Sequence, residues 1–243
     1  MTVHLDAFCV DARDPARLAA FWAGVLRWPT ADDPRGGVAV LPVDDTGFRL
    51  RFVPSDRPKV GPNPMHFDLT SASIEAQAAT VARALGLGAR HIDVGQLPEE
   101  EHVVLADPEG NELCVIEPGN AFLADCGVLG AVSGDGSPAV GHFWGAALGW
   151  PMVWDQDEET AIRSPLGGPM LTWGGPPYTP KAGKDHVHLD LVPSAGSDVT
   201  TEVRRLVGLG ATPVDIGQDD VPWTVMADPG GHEFCVVDAA GGA

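Results

Sequence analysis

The chain has 243 residues, of which 44% are hydrophobic and 20% charged, enough for a folded protein with a sizeable core. Its formal net charge of -19 argues against nucleic acid as a partner, because phosphate groups are bound by basic surfaces. No apolar run is long enough to span a membrane, and Asp6 stands where a secretory signal would be basic or apolar, so we expect a cytoplasmic protein.

The first predicted elements are a strand, a helix and two short strands. Val3 to Val10 is an apolar strand, and Asp14-Pro15 follows as a helix N-cap with proline at the first helical position. The helix is indicated by apolar residues at helical spacing, namely Leu18, Phe21, Val25 and Leu26. Gly37 to Leu41 and Phe48 to Val53 are the strand candidates that come next.

A second strand and helix follow in the first half of the chain. Met65 to Leu69 is a strand, and Gly86 and Gly88 are signals that end the next helix. The apolar face of that helix is predicted to be Ile74, Ala78, Val81 and Leu85. Further strands come after it, and the turn residues Asp107 to Gly110 join VVLA to ELCVI as a hairpin. The predicted unit is therefore one strand, one helix and three strands.

The whole pattern returns in the second half of the chain. FWAGVLRWP (Phe21 to Pro29) aligns with FWGAALGWP (Phe143 to Pro151) at an offset of 122 residues, and HFDL aligns with HLDL at the same offset. ADPEGNELCVIEP is echoed by ADPGGHEFCVVD at an offset of 121 residues. Such spacing indicates two homologous halves, which we place at residues 1–119 and 120–243. The chain would then hold four units, which pair either within the halves or across them.

The cysteines show no C-x-x-C spacing. They are Cys9, Cys114, Cys126 and Cys235, and two of them lie in the repeated phrase on predicted buried strands. We therefore expect reduced packing residues rather than disulfides or reactive thiols.

Several of these motifs together resemble one superfamily. DPARLAAFW, LRWP, a strand that begins with histidine, LGLGA and DPEGNELCV are similar to the vicinal oxygen chelate proteins, in particular to their glyoxalase-like branch. That superfamily includes glyoxalase I, extradiol dioxygenases, fosfomycin-resistance enzymes and bleomycin-binding proteins. The resemblance implies an α+β fold in which four βαβββ units, as two tandem glyoxalase-like halves, form cup-shaped mixed sheets with the helices outside. It leaves the function open, because this superfamily hosts many activities on one scaffold.

The resemblance also implies a metal site at the base of each cup. His66 in the first half and His188 in the second begin the fifth strand, where a family ligand stands. Glu112 and Glu233 lie in the eighth strand, where the family has its glutamate. Imidazole and carboxylate ligands together suit Zn, Fe, Mn or Ni, although a stable site usually needs at least three protein ligands.

A third metal ligand has to come from outside the family's pattern. The first-strand ligand position maps near Ala7 and Leu129, which cannot bind a metal, and the fourth-strand position also lacks a carboxylate. Asp68 and Asp190 each lie two residues after a histidine, on the same face of the strand, and would complete a His-Asp-Glu cluster. Each aspartate could instead only orient its histidine, or the whole set could be satisfied strand residues without a metal.

The second half carries aromatic residues that the first half lacks. These are Trp154, Trp173 and Trp223, with Tyr178, His186 and His188 near them in the sequence. They could wall a pocket that stacks planar rings or holds a cation, or they could be a larger aromatic core. Arg49 and Arg51 of the first half offer the opposite chemistry, contact with an anion or carboxylate, although we interpret them as the solvated face of a strand.

Two Pro-rich stretches join the fourth and fifth strands of the two halves. They are Asp56 to Pro64 and Gly174 to Gly183. We interpret them as linkers between units, with lids over the cups as the alternative.

These features favour a small-molecule-binding protein of the glyoxalase and bleomycin-resistance type. It would enclose a hydrophobic, aromatic or cationic ligand, such as a natural product or antibiotic, and the acidic charge of the chain would attract a cation. One alternative is a metal-dependent lyase or dioxygenase of the same superfamily. Another is a metal-free lyase, isomerase or cyclase with His188 or Glu233 as general acid or base. Since four units stand in one chain, we expect a monomer or a homodimer.

Overall fold

Four βαβββ units follow one another along the chain, in a computed structural model that describes residues 3–97, 99–218 and 221–238. The first unit consists of β1 (Val3–Ala12), α1 (Pro15–Leu26), β2 (Thr30–Asp32), β3 (Val38–Val40) and β4 (Arg49–Pro54). The second consists of β5 (Met65–Leu69), α2 (Ile74–Gly86), β6 (Arg90–His91), β7 (Val103–Ala106) and β8 (Glu112–Val115). The third consists of β9 (Leu129–Gly134), α3 (Pro138–Leu148), β10 (Met152–Gln156), β11 (Glu159–Arg163) and β12 (Met170–Trp173). The fourth consists of β13 (Val187–Pro193), α4 (Val199–Leu209), β14 (Thr212–Pro213), β15 (Thr224–Ala227) and β16 (Glu233–Val236).

The units pair across the two halves of the sequence. Sheet A has the strand order β14-β15-β16-β13-β1-β4-β3-β2, and sheet B has the order β10-β11-β12-β9-β5-β8-β7-β6. The first and fourth units therefore share sheet A, where β1 and β13 are antiparallel neighbours. The second and third units share sheet B through the antiparallel pair β5 and β9. The predicted α+β fold of four repeated units is confirmed, and the open question of their pairing is answered.

The first helix of each half begins where local sequence signals predict it. Asp14 caps α1 by accepting a hydrogen bond from the backbone N–H of Arg17, and Pro15 occupies the first turn. α3 also has proline in its first turn, at Pro138, but its N-cap Ser137 makes no side-chain capping hydrogen bond; its C-cap is Gly149, whose φ of 68° lies in the left-handed region that glycine favours. Among the described residues, no helix combines the length and apolar character needed to cross a membrane.

The second helix presents a different face from the one predicted. Ile74 begins α2 with a side chain that is 70% exposed, and Leu85 is exposed as well. The buried positions are instead Gln77, Thr80 and Ala84. Gln77 faces inward because its Nε2 donates hydrogen bonds to the backbone carbonyls at the end of β8 and in the loop before β7. The need of these backbone carbonyls for a hydrogen-bond donor therefore decides which face of α2 is buried, and the spacing of its apolar residues does not.

Aromatic contacts pack the two units of each half against each other, although these units belong to different sheets. In the first half, the ring of Phe67 lies 4.5 Å from that of Phe8 and 5.0 Å from that of Trp22, measured between ring centroids. In the second half, the rings of Trp144 and Phe234 are 5.1 Å apart. All of these residues belong to one contiguous apolar core. Core contacts within each half of the sequence therefore hold sheet A against sheet B. Strand pairs within each sheet hold the two halves of the sequence together.

The repeated phrase that begins ADP supplies a second contact between the sheets. Asp107 Oδ2 accepts a hydrogen bond from Trp22 Nε1 at 3.1 Å, and Asp228 Oδ2 accepts one from Trp144 Nε1 at 3.0 Å. The other oxygen of each aspartate accepts backbone N–H groups of the turn that follows. In each half, the aspartate of this phrase therefore accepts hydrogen bonds both from the backbone of a tight turn and from a tryptophan of α1 or α3.

Candidate functional site

A cavity of about 250 Å³ opens on the face of sheet A that lies away from the main core, and we call it cavity A. The fourth unit contributes an apolar wall that includes Trp223, Val225 and Val237. The charged lining residues are Asp11, Arg35, Arg51, Arg57, Lys184, His188 and Asp190. Cavity A therefore has one apolar wall and one charged wall.

Three arginines and three aspartates form a continuous ion-pair network beside cavity A. The pairs are Arg51 Nε–Asp33 Oδ1 (2.9 Å), Arg51 Nη1–Asp190 Oδ2 (3.3 Å), Arg35 Nη2–Asp190 Oδ2 (3.2 Å), Arg35 Nη2–Asp6 Oδ2 (2.6 Å), Arg49 Nη2–Asp6 Oδ2 (2.9 Å) and Arg49 Nε–Asp33 Oδ2 (3.2 Å). The side chain of Arg51 is 8% exposed, so the interpretation of this strand face as solvated is wrong for that residue. Buried charges persist when each has such partners.

His188 and Asp190 face cavity A from β13, where they lie beside Cys9 of β1. His188 Nε2 is 3.4 Å from Asp190 Oδ1, so these two predicted residues are brought together. Burial raises the pKa of Asp190, but the hydrogen bond and charge of His188 and the charges of Arg35 and Arg51 outweigh it and lower the pKa to about 2. The carboxylate therefore stays ionised in the folded protein.

The stabilising contribution of Asp190 is expected to disappear in acid. Because its pKa falls from 3.8 to about 2 on folding, the carboxylate stabilises the fold above the unfolded pKa and ceases to do so as the pH falls through about 2. The loss of unfolding free energy in Asp190→Asn should therefore be about 2 kcal/mol or more near neutral pH and should shrink in acid. Urea unfolding of both proteins over this pH range measures the difference, and a loss that does not change with pH would contradict the assignment.

The metal expected from the resemblance does not fit sheet A. Cys9, His188 and Asp190 offer donor atoms within 4.8 Å of one another. Arg51, however, places its Nη1 4.0 Å from Cys9 Sγ and 3.3 Å from Asp190 Oδ2. Burial raises the pKa of Cys9 to about 11 and also raises that of Cys114 in sheet B, so the thiols do not distinguish the two sheets and the difference lies in the arginine. A guanidinium already provides the positive charge at this position.

Sheet B offers a donor set that does fit a metal. His66, Asp68 and Cys114 have donor atoms within 4.8 Å of one another, and His66 Nε2 is 3.3 Å from Asp68 Oδ1. The strand register places Thr172 at the position that Arg51 takes in sheet A, so a neutral hydroxyl replaces the guanidinium. Imidazole, carboxylate and thiolate are the ligand types that Zn²⁺ takes in proteins.

The glutamates predicted as metal ligands contact the Pro-rich connections in this structure. Glu112 Oε1 accepts a hydrogen bond from Lys59 Nζ at 2.6 Å, and Glu233 Oε1 accepts one from Lys181 Nζ at 2.9 Å. The other oxygen of each glutamate accepts a backbone N–H of the same Pro-rich stretch or of the residues just after it. The two glutamates therefore anchor the connections between the fourth and fifth strands of their halves instead of joining the His-Asp groups.

The cysteines take the place beside the histidines that was assigned to the glutamates. The parallel register pairs Asp68 with Cys114 in sheet B and Asp190 with Cys235 in sheet A. Each glutamate lies two residues earlier, at the start of its strand, where the loop is within reach. The only sequence signal for this was the recurrence of cysteine in the repeated phrase, which buried packing explains equally well.

Removal of Lys181 is expected to cost more stability than removal of Lys59. Lys181 Nζ lies 2.6 Å from Asp185 and 2.9 Å from Glu233, whose side chains are 7% and 6% exposed. Lys181→Met leaves these two buried carboxylates side by side, for a loss of about 2–4 kcal/mol. Lys59→Met frees Glu112, which is 17% exposed, for a loss of about 1 kcal/mol. Urea unfolding compares the two variants, and equal losses would contradict this account.

The aromatic residues predicted to wall one pocket are divided between the sheets. Trp223 lines cavity A, whereas Trp154 lies in an open groove on sheet B, with its ring 5.9 Å from that of Phe122. Trp173 lines the same groove as Trp154, although it is 4% exposed and packs beneath α3, where a Cβ at Gly141 would be 3.1 Å from its ring. Because the third unit belongs to sheet B and the fourth to sheet A, these three tryptophans cannot form a single wall.

The remaining predicted residues of that wall are also apart. Tyr178 is 47% exposed in the second Pro-rich stretch. His186 lies in a separate cleft of about 40 Å³ beside Lys181 and Asp185. Of the predicted ligand-binding and catalytic residues, cavity A brings together Arg51, His188 and Trp223, with Arg49 linked to them through the ion pairs.

Comparison with protein families gives two matches along the chain. Residues 7–116 and residues 132–237 each match the family model described as a glyoxalase-like domain. The predicted boundary between residues 119 and 120 falls between the matched segments. No curated protein sequence matches the chain significantly.

Comparison with solved structures extends over nearly the whole chain. Glyoxalase I from Zea mays superposes with a TM-score of 0.64 and 14% sequence identity, over 98% of this chain and 92% of that one. A provisionally assigned dioxygenase from Bacillus subtilis subsp. subtilis str. 168 superposes with a TM-score of 0.60 and 15% identity, over 99% of this chain and 86% of that one. At such identities, the likeness shows the fold alone.

Proposed function

The chain belongs to the glyoxalase-like domain family, and on that basis we propose that it is a small-molecule-binding protein that encloses its ligand in cavity A. The observation that carries the proposal is the composition of this cavity. Trp223 and the valines beside it provide an apolar wall for a ring, and the opposite wall provides charged groups that can orient one end of the ligand. A natural product or an antibiotic of modest size has this combination of parts.

In this proposal, the guanidinium group of Arg51 supplies the positive charge that a metal ion would otherwise supply. Arg51 supplies a fixed positive charge at the centre of sheet A, held by Asp33 and Asp190. Ligand binding in cavity A would then be independent of added metal. The strand pairs that complete both sheets lie within one chain, so we further propose a monomer or homodimer in the cytoplasm that needs no other subunit.

Calorimetric titration with a neutral bicyclic probe, 2-naphthalenemethanol, tests the enclosure of a ring. We expect binding that is lost in Trp223→Ala and retained in Trp154→Ala, the matched control in the sheet B groove. The probe should be recovered unchanged by mass spectrometry after long incubation. Binding that survives Trp223→Ala would place the ligand elsewhere, and conversion of the probe would replace a binding function with an enzymatic one.

A metal-dependent lyase or dioxygenase reaction is the second candidate function, and it belongs to sheet B. The observation that favours it is the group formed by His66, Asp68 and Cys114. These residues would hold a divalent ion such as Zn, Fe, Mn or Ni, which when bound supplies Lewis-acid chemistry. Ser133 Oγ donates a hydrogen bond to Asp68 and would fix the orientation of that carboxylate.

Metal content measured by mass spectrometry on untagged protein tests this second function. We expect any bound metal to be lost in His66→Ala and kept in His188→Ala, because the guanidinium of Arg51 lies against the donor atoms around His188. The reverse result would move the metal site to sheet A and contradict the proposal for cavity A. A third function is metal-free catalysis by His188 or Glu233. His188 lines cavity A, whereas Glu233 would have to leave its contacts with Lys181 and Asp185.

A further inference from the structure

We infer that the ligand of cavity A is an organic oxoanion, a compound in which a carboxylate or phosphate group adjoins the apolar part. This inference rests on the proposed function and names the chemical class of its ligand. It departs from the cationic ligand that the total charge of the chain suggested. Local charge decides the question, because a ligand inside a cavity interacts most strongly with the groups that line it.

The charge of the cavity lining is opposite in sign to that of the chain. Among the described residues, four lysine and arginine side chains line cavity A, against two aspartates. The positive residues are Arg35, Arg51, Arg57 and Lys184, and the negative residues are Asp11 and Asp190. The chain as a whole carries a formal charge of -19. Asp6 and Asp33 pair with Arg35 and Arg51 without lining the cavity and offset part of this charge, so the positive excess that a ligand meets is small and acts at short range.

Both aspartates of the lining are neutralised by partners of their own. Lys184 Nζ lies 2.8 Å from Asp11 Oδ2. Asp190 Oδ2 lies 3.2 Å from Arg35 Nη2 and 3.3 Å from Arg51 Nη1. The cavity therefore offers a cationic ligand no unpaired carboxylate among its described residues, and a cation would face two guanidinium groups.

Two of the arginines that line cavity A do not use their whole guanidinium group in the contacts of the described residues. Arg35 uses Nη2 for its aspartate partners, and its Nε and Nη1 are buried without a hydrogen-bond partner among the described residues. Arg57 donates from Nη1 to the backbone carbonyl of Ile216 at the rim of the cavity. Arg35 Nε and Nη1 are shielded from the cavity as well as from solvent, so an oxoanion would become their acceptor only once the Arg35 side chain turned toward it, whereas Arg57 at the rim would make the first contact.

The two walls of cavity A fix the orientation of such a ligand. The arginines belong to the first unit, whereas Trp223, Val225 and Val237 belong to the fourth. A ring placed against the apolar wall would direct an attached acid group across the β1–β13 junction toward Arg35 and Arg51. The acid and the ring must therefore be close neighbours in the ligand.

Four probes that share one ring system test the inference by calorimetric titration. They are 2-naphthoate, 2-naphthyl phosphate, the neutral 2-naphthalenemethanol and the cationic 2-naphthylmethylammonium. We expect at least one of the anions to bind about tenfold or more tighter than the neutral probe, and the cation to bind more weakly than the neutral probe. The tighter of the two anions identifies the carboxylate or the phosphate as the preferred group.

Two arginine variants localise the anion. Arg57→Gln changes an exposed residue at the rim and should fold normally, whereas Arg35→Gln changes the buried donors. Each should weaken anion binding at least about threefold more than it weakens binding of the neutral probe. Arg204→Gln, which makes the same change on the exposed side of α4, is the control and should leave both affinities unchanged.

The outcomes separate this inference from the proposed function. Equal affinities for the anionic and neutral probes, or tighter binding of the cation, would overturn the inference and leave the binding function standing. Anion binding that Arg57→Gln and Arg35→Gln reduce no more than Arg204→Gln does would also overturn it. Failure of all four probes to bind would overturn both proposals.

Discussion

Arg51→Met is expected to lower the free energy of unfolding by about 3–5 kcal/mol. The guanidinium of Arg51 pairs with Asp33 and Asp190, whose side chains are 0% and 2% exposed. Methionine preserves much of the side-chain volume but leaves both carboxylates short of a partner in a buried setting. Such a loss exceeds what any single surface ion pair contributes. Urea unfolding at neutral pH, followed by circular dichroism, measures it.

The same substitution at an exposed arginine controls for the change in net charge. Arg204→Met on α4 removes a positive charge from a solvated face and should cost less than about 0.5 kcal/mol. Adding Asp190→Asn to Arg51→Met should recover part of the loss, because one stranded carboxylate is then neutral. If Arg51→Met were no more destabilising than the control, the ion-pair network would not be a structural element of sheet A.

Asp107→Ala is expected to cost a comparable amount, about 3–5 kcal/mol, through hydrogen bonds instead of ion pairs. Asp107 is 0% exposed and accepts hydrogen bonds from Trp22 Nε1, from Asn111 Nδ2 and from two backbone N–H groups of the turn. Alanine leaves all of these donors buried without an acceptor. The contact between the sheets and the hairpin turn would weaken together, which thermal or urea unfolding would show as one large loss.

Asp93→Ala provides the matched control for the turn chemistry alone. Asp93 accepts one backbone hydrogen bond from Gly95 in an exposed loop, so its removal should cost less than about 1 kcal/mol. Trp22→Phe should fall between the two, because it removes one donor and little ring volume. A loss in Asp107→Ala as small as that of the control would mean that the repeated aspartate serves the turn and not the junction of the sheets.

Local signals made the repeated units predictable from the sequence. Asp14 caps the first helix, and Pro15 and Pro138 fit the first turn of their helices, so these residues mark where the helices begin. Each repeated phrase beginning with ADP marks a hairpin turn. These signals act over a few residues, so they survive without knowledge of the rest of the chain. The predicted buried face of α2 was wrong because Gln77 donates hydrogen bonds to backbone carbonyls that come near it only in the folded structure.

The candidate site was less predictable because its members meet only through distant strand pairs. Cys9 lies beside His188 through the β1–β13 register, and Asp33 reaches Arg51 through the β2–β3 turn. None of these contacts leaves a periodic or spaced pattern in the sequence. Arg35 was not predicted as a site residue, because its partner Asp190 is distant in the sequence and an arginine in a glycine-rich turn is expected to be exposed to solvent.

The pairing of units across the halves also sets an order of assembly during translation. Sheet B is built from the continuous segment between residues 65 and 173, so it can close while the last unit is still inside the ribosome. β1 must wait, because its partner residues run from Val187 to Pro193 in the fourth unit. Contacts of such long sequence separation form late and slowly. Cavity A, whose walls come from the first and fourth units, is therefore a pocket that exists only once the fourth unit has been synthesised.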